Sequence, residues 1–201
     1  MVYMKNHATR AVKGFYRDQD LLDKLAWTVH ESPSLDGATK DEVRRRFRQW
    51  VQHTAKADPT EVPPDIALEA KEYMLLGHAR MRYCIHVDAE CLASIPGGDI
   101  ATENITRLDA GVVNLIRADE SWQCPDFDRF DWSTHVAPDP EAGEWETHWD
   151  EGEPEIEGSR LHDVGWMRVN IPALYPDIYS LLDEDHMWDV GYMRPPEITR
   201  H

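Results

Sequence analysis

The chain has 201 residues, 41% of them apolar, and a formal net charge of −17 at pH 7. This length and apolar fraction are sufficient for one folded domain with a buried core. A polyanion is repelled by phosphates, which argues against nonspecific nucleic-acid binding by the protein as a whole. No apolar run reaches the roughly 20 residues of a transmembrane helix, and the first residues lack the apolar segment of a secretory signal. We therefore expect a cytoplasmic protein without a membrane partner.

Charge is unevenly distributed along the chain. Residues 1–56 hold 11 Lys and Arg against 7 Asp and Glu, whereas residues 57–201 hold 10 against 31. A proline-rich connector at residues 57–65 separates the two compositions. We predict a helical region with a basic face over 1–56 and an acidic region over 57–201, which together form one continuous domain.

The first region has the periodicity of helices. Apolar residues recur at three- and four-residue spacing over residues 8–17 and 20–31, which predicts two helices. Thr39 and Glu42 have the spacing of a capping box, and the apolar stripe that follows predicts a third helix over residues 39–56.

Two central helices are predicted next. Apolar residues at helical spacing indicate a long helix over about residues 64–91. A second helix is predicted from Thr102 to Ile116. Asp88 would lie on the apolar face of the long helix, so we expect it either to end that helix or to be a buried acid with a partner. A row of polar side chains at i, i+4 spacing would flank the apolar face, and it comprises His78, Arg82, His86 and Glu90.

The composition changes in the last third of the chain. Six of the eight tryptophans lie from Trp122 onward, and residues 119–163 hold 15 acids against two arginines. Apolar and polar residues alternate over 144–150, and residues 162–171 are a second strand candidate, so a β-hairpin is predicted. A closing helix over residues 176–188 and an irregular tail follow. The expected fold is α+β and mainly α, with N-terminal and central helices before a Trp-rich acidic region that contains the hairpin and the closing helix.

The predicted helix over residues 39–56 carries the first candidate site. Arg44, Arg45 and Arg48 lie on the face opposite its apolar stripe, and such a face can dock on the phosphates of DNA. The alternatives are a solvated face or a face that pairs with the acidic half of the same chain. If the two halves pair, the arginines are structural and DNA binding loses its main support.

Histidines and acids of the predicted hairpin form the second candidate site. Carboxylate and imidazole groups on adjacent strands can bind a divalent cation, which metal-dependent hydrolases and nucleases require. A solvated strand face is the alternative interpretation. The three cysteines lack the spacing of a zinc site or a disulfide framework, so no cofactor is expected apart from this metal. The candidate ligands are Glu146, His148, Asp150 and His162.

Aromatic residues interleaved with acids form the third candidate site. Large aromatic side chains surrounded by charge are typical of protein interfaces, because each ring buries a large apolar area. The alternative is a tryptophan-rich core beneath a solubilising surface. The candidate partner-binding residues are Trp122, Phe127, Phe130, Trp132, Trp145 and Trp149.

Motifs of common enzyme classes are missing from the sequence, which has no nucleophile elbow, phosphate loop or dinucleotide-binding turn. We therefore expect a small, non-catalytic accessory protein of a prokaryote or virus that binds a protein partner or assembles with its own copies. A DNA-binding regulator and a metal-dependent hydrolase or nuclease are the alternatives.

Overall fold

The computed structural model describes residues 27–57, 78–95, 111–118, 152–184 and 186–200, together with residue 9. The helices are α1 (Lys40–Ala57), α2 (Ala79–Arg82), α3 (Ala89–Ala93), α4 (Ile171–Ala173), α5 (Tyr179–Leu181) and α6 (Met187–Gly191), with a 3-10 helix at Pro33–Leu35 and a π-helical segment at Leu174–Ile178. The strands are β1 (Tyr83–His86), β2 (Val112–Arg117), β3 (Trp166–Asn170) and β4 (Ile198–Thr199).

The four strands form one mixed sheet in the order β1-β2-β3-β4. β2 is antiparallel to both β1 and β3, whereas β4 is parallel to β3. Ile85 of β1 lies opposite Leu115 of β2, which lies opposite Met167 of β3. Because side chains alternate along a strand, this register fixes which residues share each face of the sheet.

One face of the sheet carries the apolar core. Leu115 and Met167 are fully buried there, beneath the helices that follow β3. Trp188 of α6 is also fully buried and stacks on Tyr83 of β1, with ring centroids 5.4 Å apart and planes inclined by 16°. Its indole Nε1 donates to Asp163 Oδ2 at 2.9 Å, so the polar atom of this large ring has a partner.

The prediction of a mainly helical fold is wrong, because two stretches predicted as helices contain strands. Residues 83–86 form β1 inside the predicted long helix, and residues 112–117 form β2 inside the second one. Every residue of β2 except Arg117 is buried, so both faces of this strand are covered and no alternation is visible in the sequence. A short apolar run of this kind fits a strand or a buried helix equally well, and strand pairing selects the strand.

The predicted polar row along the long helix is also wrong. Its residues lie on three different elements, because β1 interrupts the helical stretch. Arg82 is buried at the end of α2, and His86 lies at the end of β1. Asp88 begins α3 as its N-cap rather than ending a helix.

The prediction of helix 39–56 is confirmed by α1. Thr39 Oγ1 accepts a hydrogen bond from the backbone N–H of Glu42 at 3.3 Å, as the capping-box spacing predicts. β3 lies within the predicted strand 162–171, and its described neighbours are β2 and β4. The predicted partner strand 144–150 lies outside the described residues.

The helices predicted near the two ends of the chain are only partly right. Residues 27–31 are not helical, and the rest of the helices predicted over 8–31 lies outside the described ranges apart from residue 9. The predicted closing helix is divided, since α5 ends at Leu181 and α6 begins at Met187. The tail predicted as irregular contains β4, a strand of two residues that is too short to show alternation.

Within the described ranges, no helix combines the length and the apolar character that a bilayer crossing requires.

Candidate functional site

Arg44 joins α1 to the sheet. The side chain is buried, and its guanidinium donates from Nε to the carbonyl of Arg117 and from Nη2 to the carbonyl of Val164, both at 3.0 Å. It also forms an ion pair with Asp41, one turn earlier on α1. These bonds connect the helix to the end of β2 and to the residues just before β3.

The other two arginines of the predicted DNA-binding face differ in their surroundings. Arg48 donates from Nε to the carbonyl of Ala118 at 2.8 Å, so it also contacts the acidic region. Arg45 is exposed and holds Glu42 through two hydrogen bonds of 2.9 and 2.7 Å. Hydrogen bonds from Arg45 and Arg46 lower the pKa of Glu42 to about 2.

The basic and acidic regions therefore pair within the chain. In this arrangement the arginines have a structural role, because Arg44 and Arg48 donate hydrogen bonds to backbone carbonyls of the acidic region. DNA binding through this helix loses its main support. Of the three arginines, Arg45 keeps an exposed guanidinium, and Glu42 offsets its charge.

A second connection between α1 and the sheet is centred on Asp88. Its carboxylate accepts hydrogen bonds from Lys40 Nζ at 3.1 Å, Asn114 Nδ2 at 2.7 Å and the backbone N–H of Cys91 at 2.9 Å. Burial favours the protonated acid, but hydrogen bonds from Cys91 and Lys40 outweigh it and hold the pKa of Asp88 well below its usual range. Asp88 thus has the partners that were expected of a buried acid, but its side chain is only part-buried, at 28% exposed.

The face of the sheet opposite the core carries a row of polar residues, one from each of three strands. His86 of β1 lies opposite Asn114 of β2, and Asn114 lies opposite Arg168 of β3. The sequence indicates only part of this row, since the alternation of residues 166–170 separates Arg168 from the core residues of β3. The register of β1, β2 and β3 places Asn114 and His86 beside Arg168, and no local sequence pattern predicts this register.

His86 makes stability depend on pH. Burial is the main cause that lowers the pKa of His86, the charge of Lys40 adds to it, and the charge of Asp88 opposes both. The unfolded chain therefore takes up a proton near pH 6.5, whereas the folded chain takes it up only at lower pH. We expect the free energy of unfolding to fall as the pH drops below about 6.5, and to fall less in His86→Gln. Urea unfolding of both proteins at pH 7.5 and 5.5 measures this difference, and equal losses in the two proteins would contradict it.

His162 is the one predicted metal ligand within the described residues. Its ring is exposed, Nδ1 lies 3.7 Å from Glu153 Oε1, and the ring packs edge-on against Tyr192. The other three candidates, Glu146, His148 and Asp150, lie outside the described ranges. In the part of the chain that the structure describes, no three His, Cys, Asp or Glu side chains are placed to hold a metal ion. The metal site stays a prediction.

The six aromatic residues predicted to bind a partner also lie outside the described ranges. The described part of the acidic region includes a segment of related composition with exposed side chains, which we call the acidic apolar segment (residues 181–184 and 186–193). Leu181 is 48% exposed and Val190 is 70% exposed. The segment also exposes Asp183, Glu184, Asp189 and Met193.

No family model, no curated protein and no solved structure matches this chain.

Proposed function

We propose that this chain is a small, non-catalytic accessory protein of the cytoplasm that binds a basic protein partner through its acidic region. The observation that supports the proposal best is the acidic apolar segment, where Leu181 and Val190 are exposed among carboxylates. Apolar side chains at the surface, bordered by charge, are the anchors from which protein interfaces are built.

The anchors of this segment are large enough to contribute to affinity. A side chain of the size of Leu181 or Val190 contributes about 1.5–3 kcal/mol when it is removed fully from water. The carboxylates around them stay at the rim of such an interface, where they favour the approach of an oppositely charged surface.

Charge indicates the class of partner. The arginine side chains Arg44 and Arg48 are engaged within the chain, whereas residues 57–201 hold 31 acids against 10 basic residues. A second copy carries the same net charge of −17 and is repelled at low salt, whereas a basic surface is attracted.

The proposal is tested by capture with the tagged, full-length protein and with a Leu181→Ser, Val190→Ser double variant. We expect the wild type to retain a net-basic protein that raised salt releases, and the double variant to lose it. Val29→Ser replaces an exposed apolar residue outside the segment and is the matched control, which should retain the partner.

Two outcomes would overturn the proposal. Equal capture by the wild type and the double variant would exclude this segment as the interface. Light scattering measures the mass of each protein. If the wild type is an oligomer and the double variant a monomer, the partner of this segment is a second copy and not a basic protein. Urea unfolding of the variants should match that of the wild type, because the replaced side chains are exposed.

A further inference from the structure

The polar row on the sheet face opposite the core, His86, Asn114 and Arg168, lies apart from the acidic apolar segment. Neighbouring strands are about 4.7–4.9 Å apart, so the row spans about 10 Å from β1 to β3. Side chains directly opposite each other in neighbouring strands have Cβ atoms about 4.5–5.5 Å apart. Asn114, in the middle of the row, is buried, so a small molecule that binds there would contact His86 and Arg168 on either side of it.

His86 has a polar atom without a partner among the described residues. Its Nδ1 is buried and makes no hydrogen bond within those ranges. Buried polar atoms in folded proteins nearly always have a partner, so an exception indicates a site for a water, an ion or a ligand, or a functional constraint. The lowered pKa of His86 keeps the ring neutral, which leaves one ring nitrogen able to donate and the other able to accept.

Arg168 also has unused hydrogen-bonding capacity on the same face. Its side chain is only 21% exposed, and among the described residues the acid that it contacts is Glu90, whose Oε2 lies 3.8 Å from Nη1. That distance is too long for a hydrogen bond, and the Glu90 side chain is 82% exposed. The guanidinium carries five N–H donors, and within the described ranges a solvent-screened charge contact holds it.

The residue between them is fixed in place and does not compete for Arg168. Asn114 is buried and donates its amide to Asp88, which Lys40 and the backbone of Cys91 also bind. The charge of Asp88 is therefore offset by Lys40, and the carboxylate is already supplied with donors. The cation of the row that remains available is Arg168.

We propose that this row binds the carboxylate group of a small ligand. The planar guanidinium of Arg168 matches the two oxygens of a carboxylate, and Nδ1–H of His86 donates to one of them. A single guanidinium beside a neutral imidazole balances one negative charge, which favours a carboxylate over a dianionic phosphate. In the unliganded protein Glu90 makes a weak charge contact with Arg168, and it therefore competes with the ligand for the guanidinium.

The test is a titration of the full-length protein at pH 7.5 with acetate, with succinate, with a short peptide that ends in a free carboxylate and with inorganic phosphate. The side-chain NMR signals of His86 and Arg168 report binding. We expect saturable shifts of both signals with at least one carboxylate probe. Saturation by acetate or succinate identifies a free small acid as the ligand class, and saturation by the peptide alone identifies a chain terminus.

Variants separate this site from adventitious anion binding. Arg168→Gln should weaken carboxylate binding by roughly tenfold or more, since it removes a charge-assisted bidentate pair. Glu90→Gln should strengthen binding by roughly two- to fivefold, because it removes a surface competitor and cannot unfold the core. Arg45→Gln makes the same charge change as Arg168→Gln at an exposed arginine of α1 and should leave binding unchanged.

Three outcomes would overturn the inference. They are the absence of saturable shifts with any carboxylate probe, binding that persists in Arg168→Gln, and tighter binding of phosphate than of every carboxylate. Each of these outcomes leaves the proposal for the acidic apolar segment untouched, because that proposal is tested by Leu181→Ser and Val190→Ser.

Discussion

Trp188→Ala is expected to lower the free energy of unfolding by about 3–5 kcal/mol, which is the usual cost of removing a buried tryptophan. The indole is fully buried, stacks on Tyr83 and donates to Asp163, so the truncation leaves a cavity and an acceptor without its donor. Urea unfolding followed by far-ultraviolet circular dichroism measures the change.

Two further substitutions show what this loss consists of. Trp188→Phe keeps an aromatic ring next to Tyr83 but removes the donor to Asp163, so we expect a smaller loss of about 1–3 kcal/mol. Val190→Ala, on the same short helix but 70% exposed, should change stability by less than about 0.5 kcal/mol. A loss below about 1 kcal/mol in Trp188→Ala would contradict the placement of this ring in the core.

The second large effect is expected for Arg44→Ala, which should lower the free energy of unfolding by about 2–4 kcal/mol. The substitution leaves the carbonyls of Arg117 and Val164 without a donor, at about 1–3 kcal/mol for each acceptor that stays buried. Arg44→Lys should recover only part of the loss, because an ammonium group cannot reproduce the planar fork that binds two acceptors.

Arg45→Ala is the matched control for Arg44→Ala. Both positions belong to the predicted DNA-binding face, but Arg45 is exposed. The unfolding midpoint of the Arg45→Ala protein should therefore equal that of the wild type. If the face bound DNA, both substitutions would reduce salt-dependent DNA affinity to a similar degree. Equal unfolding midpoints for the two variants would contradict the structural role of Arg44.

The sequence predicts elements whose signals are local. α1 was predictable because its apolar stripe lies within the helix and its cap, Thr39, directly precedes it. Asp88 could be identified as unusual because a charge on an apolar face needs a partner. That partner, Lys40, is 48 residues away in the chain, and no local pattern connects the two.

The strands β1 and β2 could not be predicted for a different reason. Their residues are apolar at positions that fit a helix as well as a strand, and pairing between distant segments selects the strand. The polar row depends on that pairing. Alternation in β3 separates Arg168 from the core, but only the register of three strands places it beside Asn114 and His86.

The attachment of α1 also has a consequence for protein synthesis. Arg44 donates to the carbonyl of Val164, which lies 120 residues later in the chain. At about 5–20 residues per second, a ribosome needs roughly 6–24 s to make that stretch. During this time α1 can be held by its own cap and by the ion pairs of Glu42, while its buried arginine lacks its later acceptors. The domain is completed only after β3 is made, so a pause in translation before residue 164 would prolong the exposure of a cationic helix on the nascent chain.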